Sequence, residues 1–141
     1  MKRPLVLALW LLLGAQAFAD ESIVVIANRY APSEKINTDQ AAQYFLKKQQ
    51  VWPNGVQIQP VDMKEGSALR DRFYTKVTGR GPAQMRSYWA RQAFTGMSLP
   101  PKEMSTEEAV LKFVESNRGA IGYVSRKNSE GDVNVILDPD K

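Results

Sequence analysis

Residues 60–73 read PVDMKEGSALRDRF, and this stretch decides the predicted fold. It starts with the end of an apolar strand and reaches Gly66, which permits a sharp turn, and Ser67, a residue favoured at the N-cap of a helix. Leu69 and Phe73 then recur four residues apart, the spacing of an apolar helix face that packs on a sheet. The stretch therefore predicts a strand, a glycine turn and a helix that starts at Ser67.

The predicted start of this helix is a candidate anion site. Backbone N–H groups at a helix N-terminus lack acceptors within the helix, and the helix dipole places partial positive charge there. Gly66, Ser67 and Ala68 would present such groups, and Arg70 in the first turn would add a positive charge beside a bound anion. The alternative is an ordinary capped helix with a solvated Arg70, because strand–turn–helix junctions of this kind are common in α/β proteins.

Residues 1–19 have the three parts of a secretory signal peptide. Two positive residues follow the initiating methionine, residues 5–13 are an almost continuous apolar run, and residues 17–19 (AFA) form a small-x-small cleavage site. The apolar run is short for a membrane span, and an uncleaved N-terminal anchor is the alternative. We therefore predict a bacterial protein exported to the periplasm, with a single domain at residues 20–141.

The composition excludes several kinds of site. The sequence has no cysteine and no histidine, which excludes disulfides and Ser–His or Cys–His catalysis and disfavours a zinc site. No pair of carboxylates has a spacing that predicts acid–base catalysis. The formal net charge is +4, and part of it lies in the predicted signal peptide, so the excess is too small to indicate nucleic-acid binding. We predict no enzyme activity, no cofactor, no metal and no nucleic-acid partner.

Strand-like and helix-like segments alternate along the predicted domain. Strands are predicted at residues 22–28, 56–62, 120–125 and 133–137, and helices are predicted to start at Asn37 or Thr38, Ser67, Pro82 and Ser105. The first strand, the first helix and the second strand form a βαβ pattern, so these two strands are expected to be parallel with a right-handed crossover. The pattern predicts a three-layer α/β domain, with a mostly parallel sheet of about four strands flanked by helices.

Asn28 and Arg29 follow the first predicted strand. Ligands of open α/β sheets bind beyond the carboxyl ends of strands, so both residues join the candidate ligand site. The alternative is that they are loop residues whose side chains satisfy backbone groups.

Two further sets of side chains allow either a functional or a structural interpretation. Aromatic residues that could stack on a ligand, but that the amphipathic pattern favours for the core, are Trp52, Tyr88 and Trp89. Basic residues that form a common face with Arg70, or else are separately solvated, are Arg80, Arg86 and Arg91.

The order of motifs along the chain resembles phosphate ABC transporter substrate-binding proteins. The motifs are VIAN (25–28), KINT (35–38), WPNG (52–55), Gly66-Ser67, WARQAFTG (89–96) and GAIGYV (119–124). The resemblance covers almost the whole predicted domain. It implies a single lobe of the type 2 periplasmic binding protein fold, with phosphate or a similar small anion as ligand. It also implies a transporter as partner. A single lobe exposes the surface that a second lobe would cover, so another envelope protein or a second copy of the chain is expected to complete the site.

The chain departs from this family in two respects. A complete type 2 binding protein has two lobes that close on the ligand, and this chain has roughly half that length. The family's phosphate-binding segment has an arginine two residues before an acidic residue, followed by Gly-Ser-Gly-Thr, whereas residues 63–69 read MKEGSAL. Ser67 and the helix-start amides carry over, and Arg70 or Lys64 would have to replace the arginine. Two functions remain open: a solute-binding-like module, and an interaction module that kept the fold but lost the ligand.

Overall fold

The computed structural model describes residues 22–32 and 34–141, so the predicted signal peptide lies outside the described residues. Helices and strands alternate through the described part of the chain. The elements are β1 (Ile23–Asn28), α1 (Thr38–Phe45), β2 (Gln59–Met63), α2 (Ala68–Thr78), α3 (Pro82–Phe94), β3 (Lys102–Met104), α4 (Glu107–Ser116), β4 (Ala120–Ser125), a 3₁₀ turn (Arg126–Asn128) and β5 (Val133–Leu137). Of the helices in these ranges, none has the length and apolar character needed to cross a bilayer.

The strands of the described residues form one mixed sheet with the order β3-β2-β4-β1-β5. β2 runs parallel to β3 and β4, whereas β1 is antiparallel to β4 and β5. The α/β class is confirmed, with two corrections: the sheet has five strands rather than about four, and it is mixed rather than mostly parallel. The missed strand is β3, whose three residues are too few to show a periodic pattern.

The βαβ unit predicted for the first two strands does not form. β4 lies between β1 and β2 in the sheet, antiparallel to the first and parallel to the second. β1 and β2 therefore run in opposite directions and do not pair. The burial of every β1 residue fits a strand between two neighbours, but the apolar pattern of a strand does not record which strands will flank it.

Helices cover both faces of the sheet. Successive residues of β4 point to opposite faces, and two of them contact different helices. Tyr123 stacks on Phe73 of α2 with ring centroids 3.9 Å apart, and its ring also meets Phe45 of α1 edge-on. The preceding residue, Gly122, faces α4, where a Cβ atom would lie 2.7 Å from Val110 Cγ1. The predicted three-layer arrangement is therefore confirmed.

Polar N-caps start three of the helices. Asn37 closes a capping box at α1, and Ser67 caps α2, both as predicted. The N-cap of α4 lies one residue after the predicted start at Ser105, because Thr106 Oγ1 accepts a hydrogen bond of 3.1 Å from the third helical amide. Two successive hydroxyl residues precede this helix, and either could cap it, so the sequence pattern alone did not separate the two starts.

Candidate functional site

The turn between β2 and α2 places the predicted corner on the surface. Ser67 Oγ accepts a hydrogen bond of 3.3 Å from the amide three residues later, and Gly66 has a φ of +91°, which glycine adopts without steric cost. The first backbone bond of α2 joins Asp71 N to Ser67 O. The amides of Ala68 and Leu69 come before it and have no acceptor within the helix. Gly66 and Ala68 are exposed, so the corner is open to solvent.

The Arg70 side chain lies inside the protein rather than at this corner. Its Nη1 donates to Met63 O at 3.0 Å and to Glu103 Oε1 at 2.8 Å, and it lies 3.6 Å from Asp62 Oδ2. The residue is only 7% exposed. Burial alone would lower the pKa of Arg70, but Asp62 and Glu103 raise it, so the guanidinium remains charged. The cation expected beside a bound anion is therefore directed at two carboxylates of its own chain.

Asp62 is the centre of a buried polar network. Its Oδ2 accepts a hydrogen bond of 2.7 Å from Tyr74 Oη, and its Oδ1 accepts one from Tyr123 Oη. Tyr123 Oη in turn accepts a hydrogen bond of 3.1 Å from Met63 N. Burial raises the pKa of Asp62 above its usual 3.8, and Arg70 and the two hydroxyls oppose this rise. The network joins β2, β4 and α2 behind the corner.

The sequence contains a signal for this network. Asp62 belongs to a predicted apolar strand, and a carboxylate inside a buried strand needs hydrogen-bond donors or a cation. Arg70, in the helix that follows, is one candidate cation, and Lys64 is the other. The second carboxylate, Glu103, belongs to the short strand β3, which sequence reasoning missed.

Asn28 and Arg29 lie at the opposite end of the sheet from the corner. β1 is antiparallel to β4, whereas β2 is parallel to β4. The C-terminal ends of β1 and β2 therefore lie at opposite ends of the strands in the sheet. The structure therefore does not bring these two residues to Gly66, Ser67 and Ala68. The reason is the strand direction: the rule for carboxyl ends assumes parallel strands, and β1 is not parallel to its neighbours.

Both residues have partners at that end. Asn28 is buried, and its Nδ2 donates to the α4 carbonyl oxygens of Val114 at 2.8 Å and Glu115 at 3.1 Å. Its Oδ1 accepts a hydrogen bond from the Tyr30 amide. Arg29 forms an exposed ion pair of 2.8 Å with an aspartate, Asp132. Asn28 is the last residue of β1 rather than a loop residue, and its side chain satisfies backbone carbonyl groups at the end of α4, as the structural alternative expected.

Little space exists behind the corner. A cavity of about 10 Å³ is lined by Arg70, Tyr74 and Met85, among others, which is room for about one water molecule. Glu65 also borders it and pairs with Arg86 at 3.2 Å. An anion at this corner would therefore lie on the outer surface, against the backbone. Within the described ranges, no group of three or more potential metal ligands is arranged to hold an ion.

The aromatic residues considered for ligand stacking belong mainly to the core. Trp52 is 2% exposed, and its Nε1 donates to Gly119 O at 3.0 Å. Trp89 is 5% exposed. Tyr88 is half-buried and donates to Leu46 O at 2.6 Å, which attaches α3 to the end of α1. The core interpretation is confirmed for both tryptophans.

The chain shares its fold with solved phosphate-binding proteins. A protein from Clostridium perfringens, assigned as a phosphate ABC transporter substrate-binding protein and solved with bound phosphate, aligns over 82% of this chain, with a TM-score of 0.65 and 18% identity. An ABC-type phosphate transport receptor from Vibrio cholerae aligns over 84%, with a TM-score of 0.65 and 15% identity. PstS from Borrelia burgdorferi aligns over 82%, with a TM-score of 0.58 and 14% identity. Neither a family model nor a curated protein matches the sequence.

The chain spans less than half the length of these solved proteins. The alignments cover 44% of the Clostridium perfringens chain, 48% of the Vibrio cholerae chain and 46% of the Borrelia burgdorferi chain. At these sequence identities the likeness shows the fold alone. The predicted periplasmic-binding-protein-like α/β fold is therefore confirmed.

Proposed function

We propose that this chain is a non-enzymatic, single-lobe module of the solute-binding type that acts outside the cytoplasm. In this proposal it binds phosphate or a similar oxyanion at Gly66, Ser67 and Ala68. The observation that carries the proposal is the exposed start of α2, where the amides of Ala68 and Leu69 have no acceptor within the helix. The signal-peptide pattern and the fold shared with solved ABC-type phosphate transport proteins support the location.

Arg70 has a positioning role in this proposal. Its guanidinium bonds Met63 O and Glu103, so it holds the turn and the start of α2 against β2 and β3. The amides of Ala68 and Leu69 and the Ser67 hydroxyl would contact the anion, since the Ser67 amide itself donates to Lys64 O at 3.0 Å. Exposed Lys64 would supply the nearby positive charge. An open surface with carboxylates close behind it favours weak binding, with a dissociation constant on the order of 1 mM.

The test is an NMR titration of the backbone amides with inorganic phosphate at constant ionic strength. We expect saturable shifts at residues 66–69 in the parent protein. Ser67→Asp keeps a good N-cap but places a carboxylate where the anion would bind, so the affinity should fall at least about tenfold. Thr106→Asp is the matched control, because it makes the same change at the N-cap of α4 and should leave the titration unaltered.

A second candidate function, an interaction module that lost the ligand, is favoured by the pairing of Arg70 with Asp62 and Glu103. The partner would be a transporter component, another envelope protein or a second copy of the chain. A photo-crosslinking residue at exposed Lys64 should then give a discrete adduct in cells, and the same residue at Lys112 on α4 should not. No amide shifts with tens of millimolar phosphate, together with that adduct, would replace the first proposal with the second.

A further inference from the structure

The charges of the described chain are unevenly distributed. Residues 72–102 contain no aspartate or glutamate, and this basic stretch contains Arg72, Lys76, Arg80, Arg86, Arg91 and Lys102. Arg80 and Arg91 line one surface depression on α3. Arg91 is exposed and forms no salt bridge with any described residue. Lys76 and Arg86 in this stretch pair with Asp140 and Glu65. The basic face of α3, defined as Arg80 and Arg91, carries positive charge that no salt bridge with a described residue balances.

An exposed apolar tip follows directly on the same side of α3. Phe94 is 93% exposed, Met97 71% and Leu99 68%, which makes them the most exposed large apolar side chains among the described residues. Phe94 lies three residues after Arg91, so the two side chains share a face of the helix. The apolar tip, defined as Phe94, Met97 and Leu99, is therefore continuous with the basic face.

Main-chain hydrogen bonds fix the backbone conformation of this tip. Its large side chains are exposed, so their burial does not contribute. Gly96, with a φ of +70°, ends the helix, and its amide donates to Ala93 O at 3.2 Å. The amide of Met97 donates to Gln92 O at 2.9 Å. The turn is therefore ordered while its large side chains stay in solvent, at a cost in hydrophobic free energy that another surface could remove.

We propose that the apolar tip and the basic face of α3 dock the protein on an anionic phospholipid bilayer. A phenylalanine that is 93% exposed protrudes from the surface, so it suits a soft acyl–headgroup boundary, whereas a protein partner would need a preformed pocket. Basic side chains beside it match the negative potential of anionic lipid headgroups. A symmetric dimer through this face would bring Arg91 of both copies together, which like-charge repulsion disfavours.

Vesicle co-sedimentation of the full chain tests the proposal, with each variant compared with the parent so that any contribution from residues 1–19 is common to both. We expect binding to vesicles that contain phosphatidylglycerol, and binding at least about tenfold weaker to pure phosphatidylcholine or at high salt. The variant Phe94→Ser/Met97→Ser/Leu99→Ser should lose at least about tenfold in partition, because the inserted apolar area is removed. Arg91→Gln should lose roughly fivefold.

The matched controls are Lys112→Gln, an equal charge change on α4 across the sheet, and Tyr30→Ser, which removes an exposed aromatic ring elsewhere. Both should keep the parent's partition ratio between anionic and neutral vesicles. Far-UV circular dichroism and thermal unfolding establish that every variant is folded. A triple variant that partitions onto phosphatidylglycerol vesicles as strongly as the parent overturns the proposal. A dimer that the triple variant abolishes would assign the tip to a second copy instead.

Discussion

Arg70 and Asp62 face each other at the buried end of β2, with Arg70 Nη1 3.6 Å from Asp62 Oδ2. The carboxylate also accepts hydrogen bonds from two tyrosine hydroxyls, and the guanidinium donates to Glu103. The arginine of the first turn of α2 therefore balances an internal carboxylate instead of presenting its charge to solvent. This relationship predicts that substitutions at Arg70 change stability first and any anion affinity only through the position of the turn.

Arg70→Ala should lower the free energy of unfolding by about 3–5 kcal/mol, because it leaves Asp62 buried without its cation. Urea denaturation at neutral pH measures the change. Arg91→Ala is the control, because that side chain is exposed, and its effect should stay within about 0.5 kcal/mol. The double variant Arg70→Met/Asp62→Asn removes both charges and should recover much of the loss. A loss as large as in the single variant would show that the ion pair is not the source of the effect.

The titration of Asp62 should make stability depend on pH in a particular direction. Burial raises the pKa of Asp62, so the folded state holds this proton more tightly than the unfolded chain. Its contribution to stability is complete below the usual value of 3.8 and is lost as the pH rises through the raised pKa. Asp62→Asn lacks this titration. The free energy of unfolding of the parent, minus that of the variant, should therefore decrease as the pH is raised from about 4 upward.

Urea denaturation of both proteins at a series of pH values measures this difference. The subtraction removes the titration of carboxylates that the two proteins share. A difference that increases with pH would mean that Arg70 and the tyrosine hydroxyls outweigh the cost of burial and depress the pKa of Asp62.

The start of α2 could be predicted because its signals are local. Gly66, Ser67 and the apolar spacing that follows all lie within one short segment, and each acts through its own backbone. The direction of the Arg70 side chain depends instead on carboxylates in β2 and β3, which meet only after the strands have paired. An N-cap can therefore be predicted from the sequence, whereas the pairing of Arg70 with Asp62 and Glu103 cannot.

The location of Asn28 also could not be predicted from the sequence, because it depends on how the strands pair in the sheet. The apolar run of β1 correctly predicted a strand, but it contains no information on the direction of that strand relative to β4. With β1 antiparallel, Asn28 reaches the end of α4 and caps two of its carbonyl groups. The candidate site thus separated into two ends of the sheet because pairing is set by contacts between segments that are far apart in sequence.

Gly122→Ala should destabilise the protein by about 1–3 kcal/mol through overpacking. The added Cβ would lie 2.7 Å from Val110 Cγ1, 2.9 Å from Val61 Cγ1 and 3.2 Å from Val114 Cγ2. These are stiff β-branched side chains in the layer between the sheet and α4. Val110→Ala removes the nearest methyl group, so the double variant Gly122→Ala/Val110→Ala should be more stable than the sum of the two single losses predicts. Thermal unfolding of the four proteins measures the coupling, and simple additivity would contradict the close approach.

Comparison of the buried residues Trp52 and Trp89 isolates the contribution of one hydrogen bond to the free energy of unfolding. Each meets a tyrosine ring edge-on with centroids 4.9 Å apart, Trp52 with Tyr44 and Trp89 with Tyr88. Trp52 Nε1 donates to Gly119 O, whereas Trp89 Nε1 is buried without an acceptor among the described residues. Substitution of either tryptophan by phenylalanine removes a similar volume. Only the change at Trp52 also removes a hydrogen bond, and the change at Trp89 removes an unsatisfied donor.

Trp52→Phe should therefore lower the free energy of unfolding by about 1–3 kcal/mol more than Trp89→Phe does. Urea denaturation followed by far-UV circular dichroism measures both losses, since this signal does not depend on the substituted fluorophore. The double variant should show additive losses if the two rings do not share partners. Equal losses in the single variants would mean that Trp89 Nε1 has an acceptor in solution, such as an ordered water, and a larger loss at Trp89 would place the more important hydrogen bond there.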